Sequence, residues 1–239
     1  MPSARVQELP RSCPLGKCDG SGWIVDDDDL ARPCACRERR VAQARTRGVR
    51  TVLPTKYQGV SFDRPPIADM ARDPTRRDAL AEVTEFINDL GHNIADGRGL
   101  WLQGDVGTGK TTLAMLVSKH AIEAGHSVAI YSLPRLLARI RRTYDGDAGE
   151  LSYLEFFRRL TSVDVLHVDD LGAEKKSDWV LEQLYAIVDE RYAMNRSIVV
   201  TTNMQVDELE EQIGLRTVSR LGEMCSAIHM YGANRRYVA

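Results

Sequence analysis

The sequence predicts an α/β fold with a mostly parallel sheet that helices cover on both faces. From about residue 75 onward, helical patterns alternate with short apolar strands, which is typical of this class. The predicted strands lie at 100–102, 127–131, 163–168 and 197–201. The predicted helices lie at about 76–95, from a glycine-rich loop to about 124, and at 134–143, 151–160, 177–194, 206–213 and 216–224. A short pair of strands is expected at the end.

The composition is that of an ordinary soluble protein. The chain has 239 residues, of which 43% are hydrophobic and 28% charged, and this excludes wholesale disorder. The formal net charge of −2 excludes a global field that would attract nucleic acid or a membrane, so any DNA contact needs a local patch. No apolar run approaches the ~20 residues of a membrane span, and a cytoplasmic protein is expected.

Three segments are distinguished along the chain. Residues 1–50 contain four cysteines and a basic stretch, RERRVAQARTRGVR, with six arginines against one glutamate. Residues 51–66 contain three prolines and are expected to form an extended connector. Residues 67–239 carry the alternating pattern of the main domain.

A glycine-rich loop, GDVGTGKT, lies between the strand GLWLQ and the apolar helix TTLAMLVSKH, and it matches G-x-x-x-x-G-K-[ST]. Its glycines allow backbone N–H groups to surround an anion, and the helix N-terminus adds partial positive charge. Lys110 is expected to reach the β- and γ-phosphates, and the Thr111 hydroxyl to bind Mg²⁺. The predicted ATP-binding residues of the loop are Gly104, Asp105, Val106, Gly107, Thr108, Gly109, Lys110, Thr111 and Thr112.

Acidic and polar residues follow two later strands, VDVLHVDD and SIVVTTN. Asp169 is predicted to hold Mg²⁺ through water, and Asp170 to orient and activate the attacking water. Asn203 is placed to hydrogen-bond that water or the γ-phosphate. Alternatively, the two aspartates only cap the next helix. His167, inside the acidic strand, is expected to be a buried core residue.

Hydrolysis also requires positive charge where negative charge develops on the phosphates. Arg220, in TVSRLGEM, is the first candidate and Arg216 the second. Arginine is suited to this role because its guanidinium is planar and permanently charged. The alternative is a solvated arginine on an amphipathic helix.

Four of the five cysteines lie in the first 36 residues, at Cys13, Cys18, Cys34 and Cys36. A reducing cytosol disfavours disulfides, and two close thiolate pairs separated by a loop can form a tetrahedral Zn²⁺ site. Four free thiols are the alternative.

The segment PRLLARIRRTY predicts a helix with a basic face formed by Arg135, Arg139 and Arg142. Its apolar residues turn inward. A cationic face with Tyr144 available for stacking suits binding of single-stranded DNA without sequence preference. A solvated basic face is the alternative.

Taken together, GDVGTGKT, VDVLHVDDLGAEK, SDWVLEQLYAIVDERY, the TTN strand end and GLRTVSRL resemble the AAA+ ATPases of the DnaC/DnaI helicase-loader group, over about residues 51–239. The resemblance implies a P-loop NTPase of the ASCE type, with five parallel strands and the Asn203 strand between the P-loop and acid strands. It also implies that Arg220 acts as an arginine finger in a neighbouring subunit and that Asn203 is sensor 1.

Further residues are assigned through the same resemblance. Tyr57, in LPTKY, is similar to a residue that packs on the adenine, and Arg236 would substitute for sensor 2. The helical lid of many AAA+ proteins is expected to be missing. By analogy, residues 1–50 form a zinc-ribbon-like module that grips the replicative helicase; a zinc-dependent DNA contact is the alternative use.

The expected function is therefore ATP-driven loading of a replicative helicase hexamer onto single-stranded DNA, with ATP, Mg²⁺ and Zn²⁺ as cofactors and a homo-oligomer in the ATP-bound state. A GTPase is disfavoured because there is no N-K-x-D signature, and a transporter ATPase because there is no L-S-G-G-Q. Two alternatives remain: a transposition helper ATPase of the IstB type, and a nucleotide-gated adaptor that hydrolyses little ATP.

Overall fold

A computed structural model describes residues 13–26, 30–46, 49, 52–144 and 151–234. The strands in this part of the chain are Trp23–Val25 (β1), Ala31–Pro33 (β2), Gly99–Gly104 (β3), Val128–Ser132 (β4), Val165–Asp169 (β5), Ser197–Thr202 (β6) and Cys225–Met230 (β7). The helices are Cys36–Thr46 (α1), Ile67–Met70 (α2), Arg77–Asn88 (α3), Leu90–Ala95 (α4), Lys110–Glu123 (α5), Leu133–Arg142 (α6), Tyr153–Ser162 (α7), Asp178–Ala193 (α8), Val206–Ile213 (α9) and Leu215–Met224 (α10).

Strands β3 to β7 form a parallel five-stranded sheet in the order β4-β5-β6-β3-β7. This confirms the predicted sheet, including β6 between the P-loop strand β3 and the acid strand β5. Because parallel strands all end at the same edge, the loop after β3 and the aspartates at the end of β5 lie at one edge of the sheet.

Successive side chains along each strand point to opposite faces of the sheet, and this alternation gives two apolar layers. Trp101, Leu166 and Val200 face one side, where they pack with apolar residues of α6, α7, α8 and α10. Leu102 and Val199 face the other side, where they pack with α3 and α5. Both faces of the sheet are therefore buried, as expected for a parallel sheet.

One predicted helix was wrong in its extent. The helix expected at 76–95 is two helices, because the chain leaves helical geometry at Asp89 (φ −109°, ψ 28°) and the buried Asn93 side chain donates to the Phe86 carbonyl, 3.1 Å away. Of the strand pair expected at the end, the described residues contain one strand, and residues 235–239 lie outside them. This strand, β7, joins the edge of β3, where it buries Ile228 and Met230.

The N-terminal part consists of the antiparallel pair β1–β2 and helix α1. An ion pair joins α1 to the main domain: Arg45 Nη1 lies 2.6 Å from Asp164 Oδ1. Asp164 precedes β5 at the edge of the sheet opposite the P-loop. It also pairs with Arg196 at 3.0 Å and accepts hydrogen bonds from the Ser127 amide and hydroxyl. Burial alone would raise the pKa of Asp164, but the Ser127 hydrogen bonds and the two arginine charges hold it below its ordinary value.

Within the described ranges, none of the helices combines the length and apolar character needed to cross a membrane.

Candidate functional site

The glycine-rich loop bends sharply between β3 and α5. Gly104 has φ +140°, and a Cβ there would lie 2.0 Å from the Met230 carbonyl oxygen of β7. Gly109 has φ +109°, and a Cβ there would lie 2.2 Å from Met70 Cε. Both positions therefore need glycine for their backbone conformation, and Gly104 needs it also for space. Helix α5 begins directly afterwards at Lys110, so its N-terminus points toward the loop.

The Lys110 side chain is almost fully buried beneath the loop. Its ammonium donates to the carbonyl oxygens of Gly104, at 2.8 Å, and Asp105, at 2.6 Å. Thr108 donates to the same Asp105 carbonyl, at 2.9 Å. These bonds hold the ammonium at the loop, where a phosphate oxygen can replace a carbonyl as its partner.

A compact polar network forms where β5 and β6 end. The Thr201 hydroxyl donates to Asp169 Oδ1, at 2.8 Å, and accepts the Asp170 amide, at 2.9 Å. Asn203 Nδ2 donates to Asp170 Oδ1, at 3.0 Å. Asp170 has φ +64°, an uncommon conformation for a residue with a side chain. The network orients both carboxylates toward the loop instead of leaving them to cap a helix.

The loop and this network line one cavity of about 480 Å³. The predicted residues that line it are Tyr57, Val106, Gly107, Gly109, Lys110, Thr111, Thr112, Asp169, Asp170 and Asn203. Gly104, Asp105 and Thr108 do not line the cavity but support the loop through the bonds described above. The structure thus brings together residues that lie as far as 146 positions apart in the chain.

The cavity is also lined by five residues that the sequence did not single out: Lys56, Pro66, Met70, Arg76 and Thr201. Lys56 and Thr201 stand inside two motifs that had been noted, LPTKY and TTN, and could have been found there. The other three come from the segment before α3, whose sequence carries no motif. Arg76 is held by Asp73, with Nε 2.9 Å from Oδ2.

His167 is fully buried in β5, as predicted. Its Nδ1 lies 2.8 Å from the hydroxyl of Ser118 on α5, so this hydrogen bond joins the P-loop helix to the acid strand. Burial lowers the pKa of His167 to about 4, and the nearby Asp169 charge opposes this only in part. The imidazole is therefore neutral near pH 7.

Arg220 does not line the cavity around Lys110. It faces a separate cleft of about 460 Å³ between α8 and α10, which Arg216 also lines. Arg220 Nη2 lies 3.0 Å from Asp189 Oδ1, and its guanidinium stacks on the Tyr192 ring, 4.1 Å from the centroid. Arg236 lies outside the described residues.

The four cysteines converge in one cluster at the N-terminal end. All four sulfur atoms lie within 4.8 Å of one another, with 3.8 Å between Cys13 and Cys34 and 3.6 Å between Cys18 and Cys36. Four sulfurs at about 2.3 Å from a tetrahedral Zn²⁺ would be about 3.8 Å apart. The donor set and its spacing therefore fit Zn²⁺, and the pairs are thiols instead of disulfides.

Helix α6 presents the predicted basic face. Leu136, Leu137 and Ile140 are buried, whereas Arg135 and Arg142 are exposed. Arg139 is half-buried and packs over the Phe156 ring at 5.8 Å. Tyr144, which had been expected to be available for stacking, stacks on Tyr153 with 5.1 Å between ring centroids. The helix starts directly after Ser132, which pairs with Asp169, so the basic face begins at the edge of the sheet where the cavity lies.

Known proteins share this architecture. The replicative helicase loader DnaI of Bacillus subtilis (strain 168) is 24% identical over 192 residues, which are 75% of this chain and 59% of DnaI. The replicative helicase loader DnaC of Buchnera aphidicola subsp. Acyrthosiphon pisum is 23% identical over 218 residues, or 90% of this chain and 85% of that DnaC. A crystal structure of the DnaC helicase loader has a TM-score of 0.64 at 25% identity and covers 74% of this chain and 99% of that one.

The chain thus spans less than two thirds of the length of DnaI. The family model described as IstB-like ATP binding protein matches residues 84–222, which is more than half of the chain. The matched range contains the glycine-rich loop, Asp169, Asp170, Asn203 and Arg220. This chain therefore belongs to the family of IstB-like ATP binding proteins.

Proposed function

We propose that this protein is an ATP-driven loader that delivers a replicative DNA helicase to single-stranded DNA. The observation that carries the proposal is that one chain combines an IstB-like nucleotide cavity with a four-cysteine cluster that α1 links to the main domain through Arg45 and Asp164. Relatives that span most of the chain are helicase loaders by name. In this proposal, residues 1–50 bind the helicase, 51–66 reach the adenine side and 67–239 form the ATPase domain.

ATP is bound through the loop at the sheet edge. Lys110 leaves its two carbonyl partners to reach the β- and γ-phosphates, while loop N–H groups and the N-terminus of α5 surround the phosphate chain. Tyr57 forms a wall for the base. Thr111 and Asp169 are the residues that would hold Mg²⁺, which supplies positive charge against the phosphate oxygens.

Hydrolysis uses the network at the ends of β5 and β6. Asp170 accepts a proton from the attacking water, and Asn203 holds the Asp170 carboxylate in place and contacts the water or the γ-phosphate. Arg220 completes the site of a neighbouring copy, because it faces a cleft that shares no lining residue with its own nucleotide cavity. ATP binding favours assembly, and hydrolysis releases the loader.

The N-terminal module and the basic face of α6 provide the two contacts that a loader needs. Cys13, Cys18, Cys34 and Cys36 are the proposed Zn²⁺ ligands, and the metal fixes a segment too small to fold on its own core. Arg135, Arg139 and Arg142 follow the phosphate backbone of single-stranded DNA from the nucleotide edge of the sheet.

The direct test is co-purification of the full chain with the replicative helicase of the same organism, followed by mass measurement of the intact complex. We expect a complex with the helicase hexamer that requires residues 1–50 and forms in the presence of Mg²⁺ and ATP. A Glu82→Ala variant, at an exposed position of α3, serves as the control for a general surface change. Absence of any complex with the helicase would refute the loader assignment.

The same preparation distinguishes the two alternatives. A transposition helper shares the ATPase core but has no need of a helicase-binding module, so it would fail the co-purification while still hydrolysing ATP. An adaptor with little hydrolysis would bind the helicase but show the same negligible ATP turnover with and without single-stranded DNA. A loader is expected to bind and to change its turnover when DNA is added.

The DNA contact is best tested at Arg135 and Arg142, because Arg139 also packs on Phe156 and its loss would disturb the fold. The double variant Arg135→Ala/Arg142→Ala should bind a fluorescent oligonucleotide more weakly, and the slope of log K against log salt should fall by about 1.4, at about 0.7 per lost phosphate contact. Arg72→Ala/Arg77→Ala removes the same charge from exposed positions elsewhere and should leave both quantities unchanged. Equal affinity of the two double variants would contradict the assignment.

A further inference from the structure

Arg220 is held by Asp189 and Tyr192 of a neighbouring helix, and Tyr185 of the same helix also hydrogen-bonds to it. Asp189 and Tyr192 stand three positions apart on α8, so both side chains face α10, the helix that carries Arg220. Asp189 Oδ1 accepts from Arg220 Nη2 at 3.0 Å, and the Tyr192 ring lies under the guanidinium, 4.1 Å from its Cζ atom. The guanidinium thus has an acid at one edge and an aromatic ring at one face.

Tyr192 is itself held in place. Its hydroxyl donates to Glu223 Oε2 at 2.6 Å, and Glu223 lies on α10, three residues after Arg220. Two side-chain contacts therefore link the two helices, one between Asp189 and Arg220 and one between Tyr192 and Glu223. Both helices are anchored in the core next to these contacts, through Val188 of α8 and Leu221 of α10.

This arrangement leaves part of the guanidinium accessible. An arginine has five N–H donors, and the contacts of Arg220 with Asp189, Tyr185 and Tyr192 leave others for a further anion. The side chain of Arg220 is one third exposed, at 33%, and it faces the open cleft with Leu215, which is 65% exposed. A long side chain that is ordered before it meets its ligand loses less conformational freedom on binding.

We propose that Asp189 and Tyr192 are positioning residues that hold Arg220 ready to enter the ATP site of a neighbouring copy. This inference rests on the proposed function, in which Arg220 acts between subunits. Neither residue touches the nucleotide. Asp189 fixes the direction of the guanidinium, and Tyr192 supports its face, so that the charge reaches the neighbour's phosphates without a search among side-chain rotamers.

The test mixes two inactive variants of the full chain with Mg²⁺, ATP and single-stranded DNA. Lys110→Ala keeps Arg220 but loses its own site, so it is the donor. Arg220→Ala keeps its site but lacks the arginine, so it is the acceptor. If Arg220 acts between copies, ATP turnover returns when the donor is added to the acceptor.

The positioning residues are then changed in the donor alone. Donors that also carry Asp189→Asn or Tyr192→Leu should lower the restored kcat by about threefold each and by about tenfold together. The KM for ATP should be unchanged, because ATP is bound by the acceptor. Asp189→Glu and Tyr192→Phe, which keep the charge and the ring, should restore most of the kcat. Glu182→Ala, at an exposed position of the same helix, is the matched control.

A purely structural role predicts a different result. If the two residues only join α8 to α10, their loss should lower the thermal unfolding midpoint of the donor or raise the donor concentration needed for half-maximal rescue. The kcat at saturating donor would then be unchanged. That outcome would overturn the inference. If Lys110→Ala rescues and its Asp189→Asn form rescues equally, the positioning role is also wrong while the proposed function stands. If Lys110→Ala does not rescue Arg220→Ala at all, the action of Arg220 between copies is wrong, and the inference falls with it.

Discussion

The buried histidine of the acid strand makes the stability of this protein depend on pH in a predictable way. The pKa of His167 is lowered from 6.5 to about 4, mainly by burial and against the weaker effect of Asp169. As pH falls below 6.5, the unfolded chain takes up a proton at this imidazole, whereas the folded chain does so only near pH 4. Stability is therefore lost between these two values as pH falls.

The size of the effect follows from the two pKa values. At about pH 7 the difference in proton uptake changes the free energy of unfolding by only about 0.2 kcal/mol, and at about pH 5 by about 2 kcal/mol. His167→Gln removes the titrating group while keeping a polar side chain opposite Ser118. From about pH 7 to about pH 5, the natural protein should therefore lose about 2 kcal/mol more stability than this variant.

Urea unfolding followed by far-ultraviolet circular dichroism at the two pH values measures this difference. Carboxylates with lowered pKa values, such as Asp164, also contribute to acid sensitivity, but they do so equally in both proteins. His229→Gln changes an exposed histidine and should behave like the natural protein. Equal losses in the natural protein and in His167→Gln would show that burial of the imidazole does not govern its titration.

Three further predictions concern single contacts. Thr201→Val removes the hydroxyl between Asp169 and the Asp170 amide, so kcat for ATP hydrolysis should fall while ATP affinity changes little, and the free energy of unfolding should drop by about 1–3 kcal/mol. Thr201→Ser keeps the hydroxyl and should restore both kcat and stability. An unchanged kcat in Thr201→Val would contradict the role of the network. Cys18→Ser leaves three thiolates, so zinc measured by a colorimetric chelator should fall well below one ion per chain; full retention would exclude Cys18 as a ligand. A double-mutant cycle of Arg45→Ala and Asp164→Asn, measured by urea unfolding, should give a coupling free energy of about 1 kcal/mol. A coupling free energy of zero would show that this ion pair does not hold α1 on the main domain.

Much of the sheet could be predicted because its signals are local. The apolar runs at 127–131 and 163–168 were predicted as strands and are found as Val128–Ser132 and Val165–Asp169, since strands buried on both faces have few polar residues. The strand order came from the resemblance to helicase loaders, because periodicity alone does not say which strands are neighbours. The end at Asp89 could not be foreseen, because it depends on the contact of Asn93 with Phe86.

Some residues of the candidate nucleotide site could also be predicted from the sequence, and others could not. Lys110, Thr111, Asp169 and Asp170 stand in short motifs whose spacing reflects the loop and the strand end, and the structure brings them to one cavity. Arg76 enters that cavity from a segment without a motif, because tertiary packing places it there. The partners of Arg220 could not be predicted either. Asp189 lies 31 positions earlier, and only the packing of α10 on α8 brings the two charges together.

The central claim is that the cavity around Lys110 binds ATP with Mg²⁺. The most direct measurement is the fluorescence anisotropy of a labelled ATP analogue titrated with the purified full chain in Mg²⁺. We predict saturable binding of the analogue, which unlabelled ATP displaces and GTP displaces poorly. Lys110→Ala should abolish this binding. The control Glu123→Ala, at an exposed position of the same helix, should not change it. If the natural protein never binds the analogue, or if Lys110→Ala binds it equally well, the nucleotide site is wrong and the loader mechanism with it.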